Sequence, residues 1–169
     1  MIPELFWIKG PWPGKLAISS RPRGGDWLQD EIRGWRSAHV DSVVSLLEKG
    51  EEIQLDLRKE SQMAKANGIR FVAFPTEDRG VPASTQSAVE LLRAVNRALE
   101  QGENIAVHCR QGIGRSALIA AGTLMAAGES PEAALEAIRT ARGLSVPETQ
   151  EQLYWLQRDL AESLAAVHR

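Results

Sequence analysis

The chain has only one cysteine, at position 109. A lone thiol excludes an internal disulfide framework and suits a reducing compartment, where a reactive sulfur survives. Charge of one sign is also lacking. Twenty Lys and Arg nearly balance 22 Asp and Glu, for a net charge of −2, which removes any bulk electrostatic case for nucleic acid or an anionic membrane. The longest apolar run, Ala117 to Gly128, is too short to span a bilayer, and Met1-Ile2-Pro3-Glu4 lacks the basic opening of a secretory signal. There is no internal repeat, low-complexity tract or linker. These absences leave a soluble, cytoplasmic protein, with no membrane insertion and no nucleic-acid partner, as the expectation. A length of 169 residues suits one domain, 1–169, with a substantial core.

Apolar periodicity and breakers divide the chain into alternating strands and helices. Leu5–Ile8 and Lys15–Ser19 read as strands around the turn Gly10–Gly14. A helix capped by Asp26 is predicted through about Arg36. Val40–Leu47 and Ile69–Phe74 read as strands, with one helix between them over Glu51–Asn67. Ser84–Gln101 is an amphipathic helix, followed by a strand at Asn104–Val107 and an all-apolar helix at Ser116–Ala127. Ser130-Pro131 opens a helix stopped by Gly143, and Pro147 opens the last one. This order predicts a single α/β domain with a mostly parallel central sheet flanked by helices. Four of the five tryptophans (Trp7, Trp12, Trp27, Trp35) fall in the first quarter, either as core filling over the sheet or as a rim for an aromatic substrate.

The residues with chemistry concentrate between the Asn104–Val107 strand and the Ser116–Ala127 helix, in His108-Cys109-Arg110-Gln111-Gly112-Ile113-Gly114-Arg115-Ser116. A strand, a glycine-bearing loop and a helix aim backbone N–H groups at an anion, at the carboxyl end of the strand. Cys109 faces the positive end of a helix dipole beside a guanidinium, and both lower a thiol pKa from about 8.5. Gly112 and Gly114 tolerate the backbone angles of a tight loop. The planar fork of Arg115 suits two oxygens of one phosphate, and Ser116 places a hydroxyl where it stabilises a departing thiolate.

These nine residues fit the H-C-x-x-G-x-x-R-[ST] signature, and the chain therefore resembles the cysteine-dependent protein tyrosine phosphatases. The segment Phe74-Pro75-Thr76-Glu77-Asp78-Arg79-Gly80-Val81-Pro82 is similar to the general-acid loop of small dual-specificity phosphatases of the kinase-associated phosphatase type and their bacterial relatives. That resemblance implies a protein tyrosine phosphatase-like fold and Asp78 as the proton donor, with Glu77 as the competing carboxylate. It also implies that Val146–Gln152 is the late loop that places the hydrolytic water, through Glu148 and Gln152. The same stretch read without the family is a capping box of Thr149 and Gln152. A low-molecular-weight tyrosine phosphatase does not fit, because there the cysteine loop is N-terminal and precedes the acid.

The expected activity is phosphomonoester hydrolysis through a cysteinyl-phosphate: Cys109 as nucleophile, Arg115 and the loop from Arg110 through Gln111, Gly112, Ile113 and Gly114 as oxyanion binders, Asp78 as acid and Ser116 assisting thiolate departure. Loop and guanidinium supply the positive charge, so no metal or cofactor is called for. His108 anchors the loop through hydrogen bonds. Arg79 and Arg110 add positive potential at the mouth or stand solvated, and Glu48 either pairs with Arg115 or is an exposed loop acid. His39 and His168 read as ordinary surface or packing residues. The expected substrate is a phosphorylated protein or peptide, acted on by a monomer of dual specificity with a tyrosine bias. A phosphoinositide phosphatase would carry more cationic side chains than Gln111 and Ile113, and a non-catalytic phosphoprotein-binding module would have lost the cysteine or the arginine.

Overall fold

The computed structural model describes residues 2–167, so His168 lies outside the described residues. Five strands form one sheet in the order β1-β2-β5-β3-β4: β1 Leu5–Ile8, β2 Leu16–Ser19, β3 Ser42–Ser45, β4 Arg70–Ala73 and β5 Ile105–His108. Only the N-terminal hairpin pair is antiparallel. β2, β5, β3 and β4 run parallel, so their carboxyl ends open on one edge. The α/β, mostly parallel sheet expected from the alternation is the observed one. The inner strands β2, β3 and β5 are buried along their whole length, as strands covered on both faces must be.

Each face has its own core. One is built from α1 (Leu28–Ser37) and α3 (Glu60–Ala66), which place Leu28, Ile32, Trp35 and Ala64 against Val43 and Ala106. The other is built from α4 (Thr85–Glu100), α5 (Arg115–Ala126), α6 (Pro131–Arg142) and the C-terminal helical stretch. They pack Leu92, Leu99, Leu118, Leu124, Ile138 and Leu156 onto Ile18, Val44 and Val107. The α5 helix is buried on nearly every side, hence its lack of a polar face.

Three expected boundaries move. Asp26 does not cap a helix. It lies inside a 3₁₀ turn, Gly25–Trp27, that leads into α1. The single helix expected over Glu51–Asn67 is two, α2 (Lys49–Gln54) and α3, with Asp56 between them at φ +55°. The break follows from a close approach: Gly25 N–H donates to the Asp56 carbonyl at 3.2 Å, and Leu57 turns into the core. Pro147 does not open the last helix. Thr149 caps it through the Gln152 N–H, and α7 (Gln150–Tyr154), a π-helical stretch at Trp155–Leu160 and α8 (Ala161–Val167) follow.

Candidate active site

Strand β5 ends with His108, and the chain crosses to the N-terminus of α5 through Cys109–Gly114. Gly112 sits at φ +72°, a backbone conformation in which a residue with a Cβ would be strained. The turn folds back on the sulfur. Gly112 N–H donates to Cys109 Sγ at 3.2 Å, and Ser116 Oγ lies 3.1 Å from it. Burial pushes the Cys109 thiol up, but the Ser116 hydroxyl, the Ser116 and Gly112 N–H groups and the Arg115 charge together hold it below the ordinary thiol value. Cys109 is only 3% exposed, yet it lines a cavity of about 170 Å³ shared with Asp78, Arg79, Gln111, Gly114, Arg115 and Glu148. The sulfur is therefore shielded but reachable from the cavity. A larger hollow of about 530 Å³ lies against the hairpin and α6, lined by Trp7, Lys9, Glu129 and Glu136 among others, and is remote from Cys109 and Arg115.

Arg115 is almost fully buried and held from three elements. Nη1 donates to Glu51 Oε1 at 2.7 Å, to the Thr76 carbonyl at 2.9 Å and to the Leu46 carbonyl at 3.3 Å; Nη2 donates to Glu51 Oε2 at 2.9 Å. Glu51 thus occupies the end-on edge of the guanidinium, leaving the side-on edge formed by Nε and Nη2 for a ligand. On that edge Nη2 also lies 3.2 Å from Asp78 Oδ1. Of the two readings of Glu48, the exposed acid is the one observed, and Glu51 takes the place on Arg115 that the other reading gave to Glu48. Glu48 is exposed and forms the N-cap of α2, while its N3 residue Glu51 turns inward. Burial raises the Glu51 carboxyl, but Arg115, the Glu48 N–H and Arg110 outweigh it and hold the pKa below the usual value.

The acid loop brings Asp78, not Glu77, to the cavity. Gly80 N–H closes the turn onto the Glu77 carbonyl at 2.9 Å, and Arg79 takes φ +63°, an uncommon conformation for a residue with a Cβ. Arg79 does not act as a free cation at the mouth, because Nη1 donates to Glu148 Oε1 at 2.8 Å. Arg110 reaches Gln54 Oε1 at 3.2 Å and lies 4.0 Å from Glu51. Gln111 is exposed and Ile113 half-buried against the helical core. Gln152 is fully buried. Its Oε1 accepts from the N–H groups of Glu148 (3.0 Å) and Thr149 (3.2 Å), and Nε2 donates to the Gly80 carbonyl at 3.0 Å. The capping box and the late loop are thus one structure, tied to the acid loop.

Beneath the loop, His108 is fully buried between Trp35, stacked at 5.8 Å, and Glu60, whose Oε1 lies 2.5 Å from Nε2. Its Nδ1 lies 3.3 Å from the Cys109 carbonyl. Burial disfavours the charged imidazole, but Glu60 and the Cys109 carbonyl raise the His108 pKa above the ordinary value. Reading the sequence missed Glu51 and Glu60; an E-x-x-E spacing at a helix start was the available signal for the first. The tryptophans divide. Trp35 is buried in the core of the α1–α3 face, and Trp12 packs on the core of the other face, donating to Asn96 at 2.7 Å, whereas Trp7 and Trp27 are 39% and 57% exposed, away from the cavity lining. His39, at φ +67°, stands at the opposite end of β3.

A family model described as "Polymorphic toxin system, DSP-PTPase phosphatase" matches residues 18–129. Cyclin-dependent kinase inhibitor 3 of Homo sapiens is 26% identical over 141 residues, 82% of this chain, and the chain spans 66% of that protein's length. The crystal structure of Tk-PTP in its active form is similar at 28% identity with a TM-score of 0.74, covering 94% of this chain and 96% of that one. Kinase associated phosphatase (KAP), crystallised with a serine substituted for its catalytic site cysteine, shares the fold. Its TM-score is 0.88, at 21% identity over 98% of both chains.

Proposed function

The chain belongs to the DSP-PTPase phosphatase family, and on that premise we propose that it hydrolyses phosphomonoesters of proteins or peptides through a cysteinyl-phosphate. One observation carries the reading: a sulfur with donors at 3.1 and 3.2 Å stands in a cavity that Arg115 and Asp78 also line.

In the first step Cys109 Sγ forms a bond to phosphorus as the bond to the leaving oxygen breaks, and Asp78 gives that oxygen its proton. The loop N–H groups and the Nε–Nη2 edge of Arg115, the edge not taken by Glu51, hold the equatorial oxygens. In a largely dissociative transition state, that positioning and charge stabilisation dominate. The phosphate takes the side of Arg115 that faces Asp78, releasing the carboxyl for proton transfer. In the second step water attacks phosphorus, Asp78 accepts its proton, the S–P bond breaks, and the Ser116 hydroxyl donates to the departing thiolate.

The cavity lining contains no aromatic side chain, which favours acceptance of both phosphotyrosine and phosphoserine or phosphothreonine. A low-pKa thiolate survives best in reducing surroundings, so we place the activity in the cytoplasm. The test is phosphate release from a panel of phosphopeptides and soluble inositol phosphates by wild type, Cys109→Ser and Asp78→Asn. Cys109→Ser should bind phosphopeptide without turnover. Asp78→Asn should lose rate most on substrates with poor leaving groups. Normal turnover by Cys109→Ser ends the mechanism, and preference for inositol phosphates ends the substrate assignment.

A further inference from the structure

The cradle's anion-binding power depends on where its peptide N–H groups point, and three side chains outside the cradle fix the carbonyls of the same peptides. Arg21 Nη1, from the chain just beyond β2, donates to the Arg110 carbonyl at 2.9 Å. Arg142 Nε, on the last residue of α6, donates to the Gly112 carbonyl at 2.9 Å. His108 Nδ1 lies 3.3 Å from the Cys109 carbonyl. In a planar trans peptide the C=O and the following N–H point in opposite directions. A carbonyl held outward therefore turns the next N–H inward, and these three contacts aim the N–H groups of Arg110, Gln111 and Ile113 at the space above the sulfur. The intervening peptide is fixed from inside, because Gly112 N–H donates to Cys109 Sγ at 3.2 Å. Two of the three outer donors are themselves braced: His108 by Glu60, and Arg142 by stacking over the Phe6 ring at 3.9 Å.

We propose that Arg142 and Arg21 are positioning residues for the oxyanion cradle, acting through hydrogen bonds to its outward carbonyls rather than through contact with substrate. The inference draws on the phosphatase reading only in taking a tetrahedral oxyanion as the ligand.

The covalent structure of arginine supplies a clean test at Arg142. In Arg142→Gln, Nε2 takes the place of arginine Nε, one bond beyond Cδ, so the donor is kept while the charge is removed. In Arg142→Lys a methylene takes that place, so the charge is kept while the donor there is removed. Arg142→Met removes both. Binding of inorganic tungstate to each full-length variant is measured by calorimetry, with thermal midpoints and phosphopeptide turnover alongside. Bracing predicts that Arg142→Gln binds within about twofold of wild type, while Arg142→Lys and Arg142→Met bind about tenfold more weakly. The reverse order, with Arg142→Lys near wild type and Arg142→Gln weakened, assigns Arg142 to charge attraction or to packing on Phe6 and overturns the proposal. So does equal binding by all four proteins. A wild-type protein that binds tungstate yet hydrolyses nothing would sink the phosphatase reading and leave the bracing intact. Failure of wild type to bind tungstate would sink both.

Discussion

Ser116→Ala isolates the strongest single influence that lowers the Cys109 pKa. The Ser116 hydroxyl lies 3.1 Å from the sulfur, and both are buried. A hydrogen bond to a charged group contributes about 1.5–3 kcal/mol, and one pKa unit corresponds to about 1.4 kcal/mol, so removing the hydroxyl should raise the thiolate pKa by about one to two units. The shift stops short of full recovery because Gly112 N–H, Ser116 N–H and the Arg115 charge remain. The assay is alkylation by iodoacetamide as a function of pH, read by mass spectrometry of the only thiol. Two effects oppose each other. At acidic pH a rise of about 1.5 units cuts the thiolate fraction about thirtyfold, while each thiolate becomes about fivefold more nucleophilic for a Brønsted coefficient near 0.45. Net labelling should therefore fall about sixfold at low pH and rise about fivefold on the alkaline plateau, so the two profiles cross. The same variant should accumulate cysteinyl-phosphate, because the leaving sulfur has lost its donor. An inflection unchanged within about 0.3 units would refute the assignment of the Ser116 hydroxyl as the main stabiliser of the thiolate.

How much of this was legible in the sequence follows from chain separation. Cys109, Gly112, Arg115 and Ser116 belong to one loop, so covalent spacing alone brings them together once the strand and helix on either side form. Strand order made the acid loop foreseeable, since parallel β3, β4 and β5 carry their following loops to one edge. The partners that fix those groups were far less legible. Choosing Glu51 over Glu48 depends on where α2 starts, a shift of three residues that moves a carboxylate from solvent to the guanidinium. Glu60 reaches His108 because the chain breaks at Asp56, and that break is set by contact with Gly25 far upstream. No motif sets Arg21 and Arg142 apart among the chain's 20 Lys and Arg, and only the tertiary structure brings them to the cradle's carbonyls. The loop residues were therefore legible in the sequence, while their buried supports emerged only with packing.

Those supports can be tested in turn. Glu51→Gln puts an amide N–H against Arg115 and should lower kcat/KM about a hundredfold through misplacement of the fork; a Glu51→Gln/Arg115→Lys double variant should lose little more than Arg115→Lys alone. Gly114→Ala puts a methyl 2.9 Å from both Gln152 Nε2 and Glu148 Oε2, and should cost about 1–3 kcal/mol in denaturant unfolding as the late loop is pushed off the acid loop. Glu60→Gln tests the buried pair through pH. His108 faces Glu60 on α3, with Glu52 on α2 and the Cys109 sulfur as the other charged neighbours acting with it. Its folded pKa is raised, so the folded protein holds the imidazole proton more tightly than the unfolded chain does. That stabilisation is fully present below the unfolded value of about 6.5 and is lost as pH rises through the folded value. The variant should therefore be less stable than wild type by about 3 kcal/mol near pH 6, and the gap should narrow on going alkaline. A gap that stays flat with pH would mean that His108 is neutral in the folded protein and that Glu60 supports the loop by shape rather than by charge.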